Sequence, residues 1–126
     1  MTPWPALSSK QRREMDQAVA MLRESADQGH MMAQSHCGDL YSCGWGVAKD
    51  DRLAFVYTEK AAQQGHVTSQ YNTGVNYRNC IGCERNDERA AKWFEKAARQ
   101  GNASAMCELG KLYTHGCGVT LSLIHI

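Results

Sequence analysis

The chain has 126 residues, a formal net charge of +1, 43% hydrophobic residues and 21% charged residues. That length fits one compact domain or a few stacked units, and it buries roughly two-thirds of the unfolded surface on folding. Acidic and basic residues are scattered along the chain, which leaves no electrostatic footprint for nucleic acid or a membrane surface.

Residues 1–8 form a short N-terminal segment holding both prolines, Pro3 and Pro5, so nothing beyond it forbids helix. Trp4, between them, is expected to cover the exposed end of the first helix, a task that solenoid ends require. The first 22 residues carry Lys10, Arg12, Arg13, Glu14 and Asp16, and their longest apolar run is Ala18 to Leu22. That run is too short for a signal-peptide core or a membrane span. The expectation is a cytoplasmic protein whose six cysteines are reduced.

Self-comparison reveals a repeat. Ser25-Ala26-Asp27-Gln28-Gly29 returns as Ala61-Ala62-Gln63-Gln64-Gly65 and again as Ala97-Ala98-Arg99-Gln100-Gly101, 36 residues apart each time. Gly38, Gly74 and Gly110 align, as do Tyr41, Tyr77 and Tyr113, and Ala33, Ser69 and Ala105. In chain order, a lone second-type helix runs from roughly Ser9 to Gln28. A first-type helix follows, with Ala33, Cys37, Gly38 and Tyr41 on one stripe, and it closes near Gly44-Trp45-Gly46-Val47. Asp50 or Asp51 caps the next helix, whose inward stripe is Ala54, Tyr57, Thr58, Ala61 and Ala62 and whose stop is Gln64-Gly65. The pairing repeats from about residue 68 to 101, and a lone first-type helix near Ala103 to His115 ends the pattern.

The predicted fold is all-α: an α/α superhelical solenoid of antiparallel helix pairs, stacked right-handedly over residues 9–119, with about three units and the last incomplete. Small residues in the paired columns let helices approach closely, and Tyr41, Tyr57, Tyr77, Trp93 and Tyr113 fill the space between units. His30 and His66, just past the terminating glycines, read as helix-end residues able to meet exposed carbonyls.

These columns resemble the Sel1-like repeat, a relative of the tetratricopeptide repeat. The resemblance rests on Ala105, Leu109-Gly110-Lys111-Leu112-Tyr113 and Gly116-Cys117-Gly118-Val119 in the last unit. It rests equally on Asp87, Ala90, Trp93-Phe94 and Lys96-Ala97-Ala98-Arg99-Gln100-Gly101 in the middle unit. The middle unit departs from the pattern with Thr73 and Asn76 in place of leucine, and Cys80 and Cys83 in place of glycine and valine. It is therefore expected to be the least tightly packed, with the least predictable loop. After Val119 the register ends, and the last six residues resemble a one-frame translation of a transposase mosaic-end sequencing adapter. The expectation is that 120–126 are a non-native tail and the chain a piece of a longer array; the alternative is a natural apolar tail covering the last helix.

The resemblance implies an adaptor or scaffold that binds a protein or peptide partner, without cofactor or catalysis. The face of the first helices opposite the inward stripe would line the concave side of such a superhelix. It carries Ser35, Asp39 and Ser42 in the first unit, Tyr71, Val75 and Arg78 in the second, and Lys111, Thr114 and His115 in the third. This mix suits an extended peptide or a partner helix, with Tyr71 and Arg78 of the types enriched among interface anchors. Cys80-Ile81-Gly82-Cys83 is the one local motif with chemical potential, able in principle to hold zinc or form a disulfide. Further zinc ligands would have to come from Cys43, His115 or Cys117 in neighbouring loops, about 10 Å away, so ordinary loop thiols are the favoured reading. Cys37 shares a column with Leu109 and reads as a small buried hydrophobe. Secreted cysteine-rich relatives, some credited with penicillin-binding or β-lactamase activity, staple each repeat with a regular cysteine pair. One column of that pair holds Ala26, Ala62 and Ala98 here, which disfavours that subclass. The chain has no nucleophile elbow, phosphate loop or His-Glu-x-x-His pair, so it is not read as an enzyme.

Overall fold

A computed structural model describes residues 8–114, which form six helices: α1 (Ser9–Asp27), α2 (Met31–Cys43), α3 (Asp51–Gln63), α4 (Val67–Asn79), α5 (Asp87–Arg99) and α6 (Ala103–Thr114). The described residues contain no strand. The all-α solenoid read from the 36-residue period is the observed architecture.

Every helix but α2 starts on a side chain that satisfies otherwise unpaired backbone N–H groups; His30, ahead of α2, makes no such side-chain bond. Ser8 and Gln11 form a reciprocal capping box on α1. Asp50, and not Asp51, caps α3 through the Arg52 and Leu53 N–H groups, each 3.1 Å from Oδ1. Asn86 and Asn102 take the same part for α5 and α6, through Arg89 and Ala105. His66 corrects the sequence reading. Its ring Nδ1 accepts the Ser69 N–H at the start of α4, so the side chain caps the helix that follows, and it is the backbone N–H of His66 that reaches the Ala61 carbonyl of the preceding one.

Two sets of hydrogen bonds make consecutive helices antiparallel. At one end, the Asp50 N–H reaches the Tyr41 carbonyl at 2.9 Å, tying the start of α3 to the end of α2. At the other, Gln64, just past α3, donates to the Gly29 carbonyl at 2.9 Å and to Gln34 Oε1 at 2.6 Å in the first turn of α2. Gln34 in turn donates to the Ala26 carbonyl. The next unit repeats this arrangement: Gln100 donates to the Gly65 carbonyl and to Gln70, and Gln70 donates to the Ala62 carbonyl. Gln34 and Gln70 are buried, so these bonds remove a desolvation cost that unpaired amides would carry.

Packing follows the small-residue columns. Ala54, Ala61, Ala62, Ala90, Ala97 and Ala98 are all buried. The core has two parts, one joining Ala26, Ala33, Cys37, Tyr41, Ala54 and Tyr57, the other built on Tyr77, Phe94, Leu109 and Leu112. Tyr41 and Tyr57 stack with rings 5.9 Å apart and nearly parallel, and Phe55 meets Tyr77 edge-on at 5.2 Å. Of the Trp93-Phe94 pair, Phe94 is the fully buried ring, and Trp93 is half-buried.

The middle unit does not pack loosely. Thr73, in a leucine position, is completely buried, and its hydroxyl donates to the Ser69 carbonyl at 2.8 Å, so the polar substitution is satisfied locally. Its loop keeps the bonds of the first. Gly44 and Trp45 N–H reach the Leu40 carbonyl, as Cys80 and Ile81 N–H reach that of Asn76, and Asn86 N–H bonds Tyr77 as Asp50 bonds Tyr41. The cost appears in one dihedral: Cys80 takes the left-handed conformation, φ 56°, that Gly44 takes without a side chain.

Gly38 and Gly74 are where paired helices approach most closely. A Cβ on Gly38 would run into the Thr58 hydroxyl, and one on Gly74 would sit 2.6 Å from the Phe94 ring. Gly110, in the same column, has nothing within 4 Å among the described residues. The expected outcome is that Gly74→Ala destabilises by about 1–3 kcal/mol through overpacking. Gly110→Ala stabilises by up to about 1 kcal/mol through helix propensity alone. Urea denaturation of the two variants checks the contrast, and equal effects would refute it.

Candidate functional site

The first helices α2, α4 and α6 carry most of the residues singled out for partner binding. Asp39, Ser42, Lys111 and Thr114 are exposed, and Ser35, Tyr71, Val75 and Arg78 are half-buried. His115 lies outside the described residues, as do Trp4 and Cys117. Asp39, Ser42 and Val75 come together, along a groove of about 240 Å³ between α2 and α4 that Asn72 and Ile81 also line and whose floor includes Ala54 and Thr58 of α3.

The other positions are more committed. The Tyr71 ring lies 5.7 Å from Phe94 and packs against the core, so its area is partly spent inside the protein. Arg78 crosses from α4 to pair with Glu108 of α6, and Lys111 reaches the same carboxylate at 3.3 Å. Thr114 turns its hydroxyl back onto the Gly110 carbonyl at 2.7 Å. The face is thus a groove at one end and a cation-rich ion-pair cluster at the other.

The Cys80–Cys83 loop presses on the preceding second helix, where a Cβ on Gly82 would meet the Asp51 carbonyl. Cys83 is half-buried and its Sγ lies 3.5 Å from the Asn76 carbonyl, and Cys80 is exposed. The described cysteines are free thiols, and among the described residues no group of three or more His, Cys, Asp or Glu side chains could hold a metal ion. Burial pushes the Cys37 and Cys83 thiols up, with Asp27 adding to the first and Cys80 to the second.

A second concave surface went unnoticed in the sequence. It lies between α3 and α5, spans about 500 Å³, and is lined by Glu59, Tyr77, Arg89, Lys92, Trp93, Lys96 and Arg99, among others. Tyr77 donates to Glu59 Oε2 at 3.0 Å and accepts from Arg89 at 3.4 Å. Burial raises the Tyr77 pKa; the Arg89 bond opposes that rise and Glu59 adds to it. The signal was present in α5 as cations at 89, 92, 96 and 99, one helical face, but scattered overall charge hid it.

The fold and these surfaces define an all-α repeat scaffold. The family model for the Sel1 repeat matches residues 10–30, 32–66, 67–102 and 103–121, and the chain belongs to the Sel1 repeat family. Among solved structures, a Sel1 repeat protein from Oxalobacter formigenes is 40% identical, with a TM-score of 0.73 over 76% of this chain and 72% of that one. The protective antigen c5321 of uropathogenic Escherichia coli strains, which displays an SLR fold, is 34% identical with a TM-score of 0.76. That match takes in 79% of this chain and spans 21% of the antigen. Cysteine rich protein B of Helicobacter pylori is 28% identical, with a TM-score of 0.69 over 75% of this chain and 71% of that one. A search of curated proteins finds no significant match. Sel1 repeat proteins are typically non-enzymatic scaffolds that bind protein partners, and this chain has that general architecture. No helix among the described residues is long and apolar enough to cross a membrane.

Two outcomes follow for the cysteines. Alkylation at pH 8 with mass-spectrometric site assignment is expected to label Cys43, Cys80 and Cys107 well before Cys83, and Cys37 only on unfolding; early loss of Cys37 would contradict its burial. Cys80→Gly, which frees the left-handed position, is expected to raise stability by about 1 kcal/mol in urea denaturation.

Proposed function

We propose that this chain is a protein-interaction scaffold that takes a peptide or partner helix along the face of α2, α4 and α6. The observation that carries the reading is the contrast between columns. Three columns of the inward stripe stay fixed in kind: 33/69/105 is alanine or serine, 38/74/110 glycine and 41/77/113 tyrosine, while the buried column 37/73/109 varies among cysteine, threonine and leucine. Positions on the outer face of the same helices change chemistry at every step: Ser35, Tyr71, Cys107; Asp39, Val75, Lys111; Ser42, Arg78, Thr114. A scaffold that repeats its core and varies its surface is built for recognition along its length.

The groove beside Asp39, Ser42 and Val75 offers an apolar wall and an acidic rim to an extended segment. Tyr71 packs on Phe94 and the core cluster around it, which makes Tyr71→Ala a packing variant as much as a binding one.

Selecting peptides by display against the immobilised protein, then mapping them by backbone amide shifts, tests the reading. Shifts are expected at Ser35, Asp39, Ser42, Val75 and Lys111. Asp39→Arg with Val75→Arg should weaken the selected peptide about tenfold or more. Shifts confined to α3 and α5, with the double variant binding like the parent, would overturn it.

A further inference from the structure

We propose that the groove between α3 and α5 is a second docking site, on the opposite helix set, for an acidic peptide segment of a protein partner. The argument begins with what the scaffold does and does not require. On α5, the columns that pack are held by Ala90, Phe94, Ala97 and Ala98, all buried. Arg89, Lys92, Lys96 and Arg99 are exposed and occupy columns that the fold leaves open. The same columns hold Gln17, Ala20, Glu24 and Asp27 on α1, and Leu53, Val56, Lys60 and Gln63 on α3. The other second helices fold without a cation in most of these columns, yet α5 has one at all four, three of them also contacting Tyr77, Trp93 or Glu95.

The cations are also held in place. Lys96 lies over the Trp93 ring at 4.6 Å, and Arg89 over the Tyr77 ring at 5.9 Å while bonding its hydroxyl. Arg99 is paired with Glu95, whose carboxylate is buried in the wall. Holding a long side chain before the partner arrives lowers the ordering cost of binding. Lys92, also exposed, completes the row along the groove.

The same lining distinguishes between anionic partners. Four cations face two carboxylates, Glu59 and Glu95, so the groove is attractive to isolated negative charges. A continuous phosphate backbone would bring its charges against those carboxylates. A peptide gains from them, since its main-chain N–H groups can donate to Glu59 while Gln63 meets either a carbonyl or an N–H. Half-buried Trp93 adds an aromatic surface for one apolar side chain, and about 500 Å³ lies within the range of pockets that take small ligands.

The test is fluorescence anisotropy with a labelled eight-residue peptide carrying four glutamates and one phenylalanine, run at low and at physiological salt. Labelled single-stranded oligouridylate and vesicles containing phosphatidylserine serve as competing probes. Saturable peptide binding that weakens with salt, and that falls about tenfold or more in Lys92→Glu with Lys96→Glu, supports the proposal. Lys10→Glu with Arg12→Glu, the same charge change on exposed positions of α1, should have little effect; circular dichroism confirms that both variants fold. Absence of peptide binding, equal loss in the two double variants, or tighter binding of oligouridylate or vesicles overturns it. Loss of peptide binding in Asp39→Arg with Val75→Arg, but not in the α5 variant, also overturns it by assigning the peptide to the other face.

Discussion

The close approach of each first helix to the second helix that follows is the constraint on which the rest of the structure depends. At Gly38 and Gly74 no side chain separates the first helix from Thr58 or Phe94. Close-packed interiors tolerate neither void nor overlap, so the size of the residue at column 58/94 sets how the pair fits. Thr58 is small, and Phe94 fills the same column with a fully buried ring. The second pair thereby acquires a larger apolar interior, one that also takes in Tyr71, Val75 and Trp93 at its margin. The repeat conserves the glycine and lets its partner vary, which gives chemically different neighbours a common backbone path.

Units are joined by a different device. Gln64 and Gln100 reach back across 35 residues to the Gly29 and Gly65 carbonyls and clasp Gln34 and Gln70 on the way. An amide can donate and accept at once, so each glutamine satisfies a helix-end carbonyl and a buried side chain together. The device ends at α6, where Met106 takes the column of Gln34 and Gln70 and is 45% exposed. The corner between units is closed by hydrogen bonds, with Ala26 and Ala62 supplying the carbonyls to which Gln34 and Gln70 donate.

Much of this was legible in the sequence because repetition makes columns visible. The helix pairs, the terminating glycines at 29, 65 and 101, the inward stripes and the burial of Cys37 all follow from the 36-residue register. What escaped were local solutions to local departures. Thr73 and Cys80 looked like defects, but a hydroxyl can bond a carbonyl in its own helix, and a cysteine can occupy a left-handed cap when the surrounding bonds hold it there. His66 looked like a C-terminal residue because it follows a glycine, but its ring faces forward to Ser69. On the candidate face, residue type suggested Tyr71 and Arg78 as free anchors. Their neighbours, Phe94 and Glu108, are 23 and 30 residues away in sequence and could not be read from the helix that carries them.

The α5 surface shows why a total can conceal a site. Net charge near zero describes the chain, but a partner meets a few square nanometres of it. On α1 the four columns in question carry two acids, on α3 one base, and on α5 four bases. Electrostatic character therefore changes from one second helix to the next while the packing behind it stays constant. The groove is formed where the most basic of these helices faces α3, and the hydrogen bonds from Arg89 to Tyr77 and from Tyr77 to Glu59 link the two sides. A helical period converts a scattered composition into a directional surface, and the repeat period then allows each unit to be given its own.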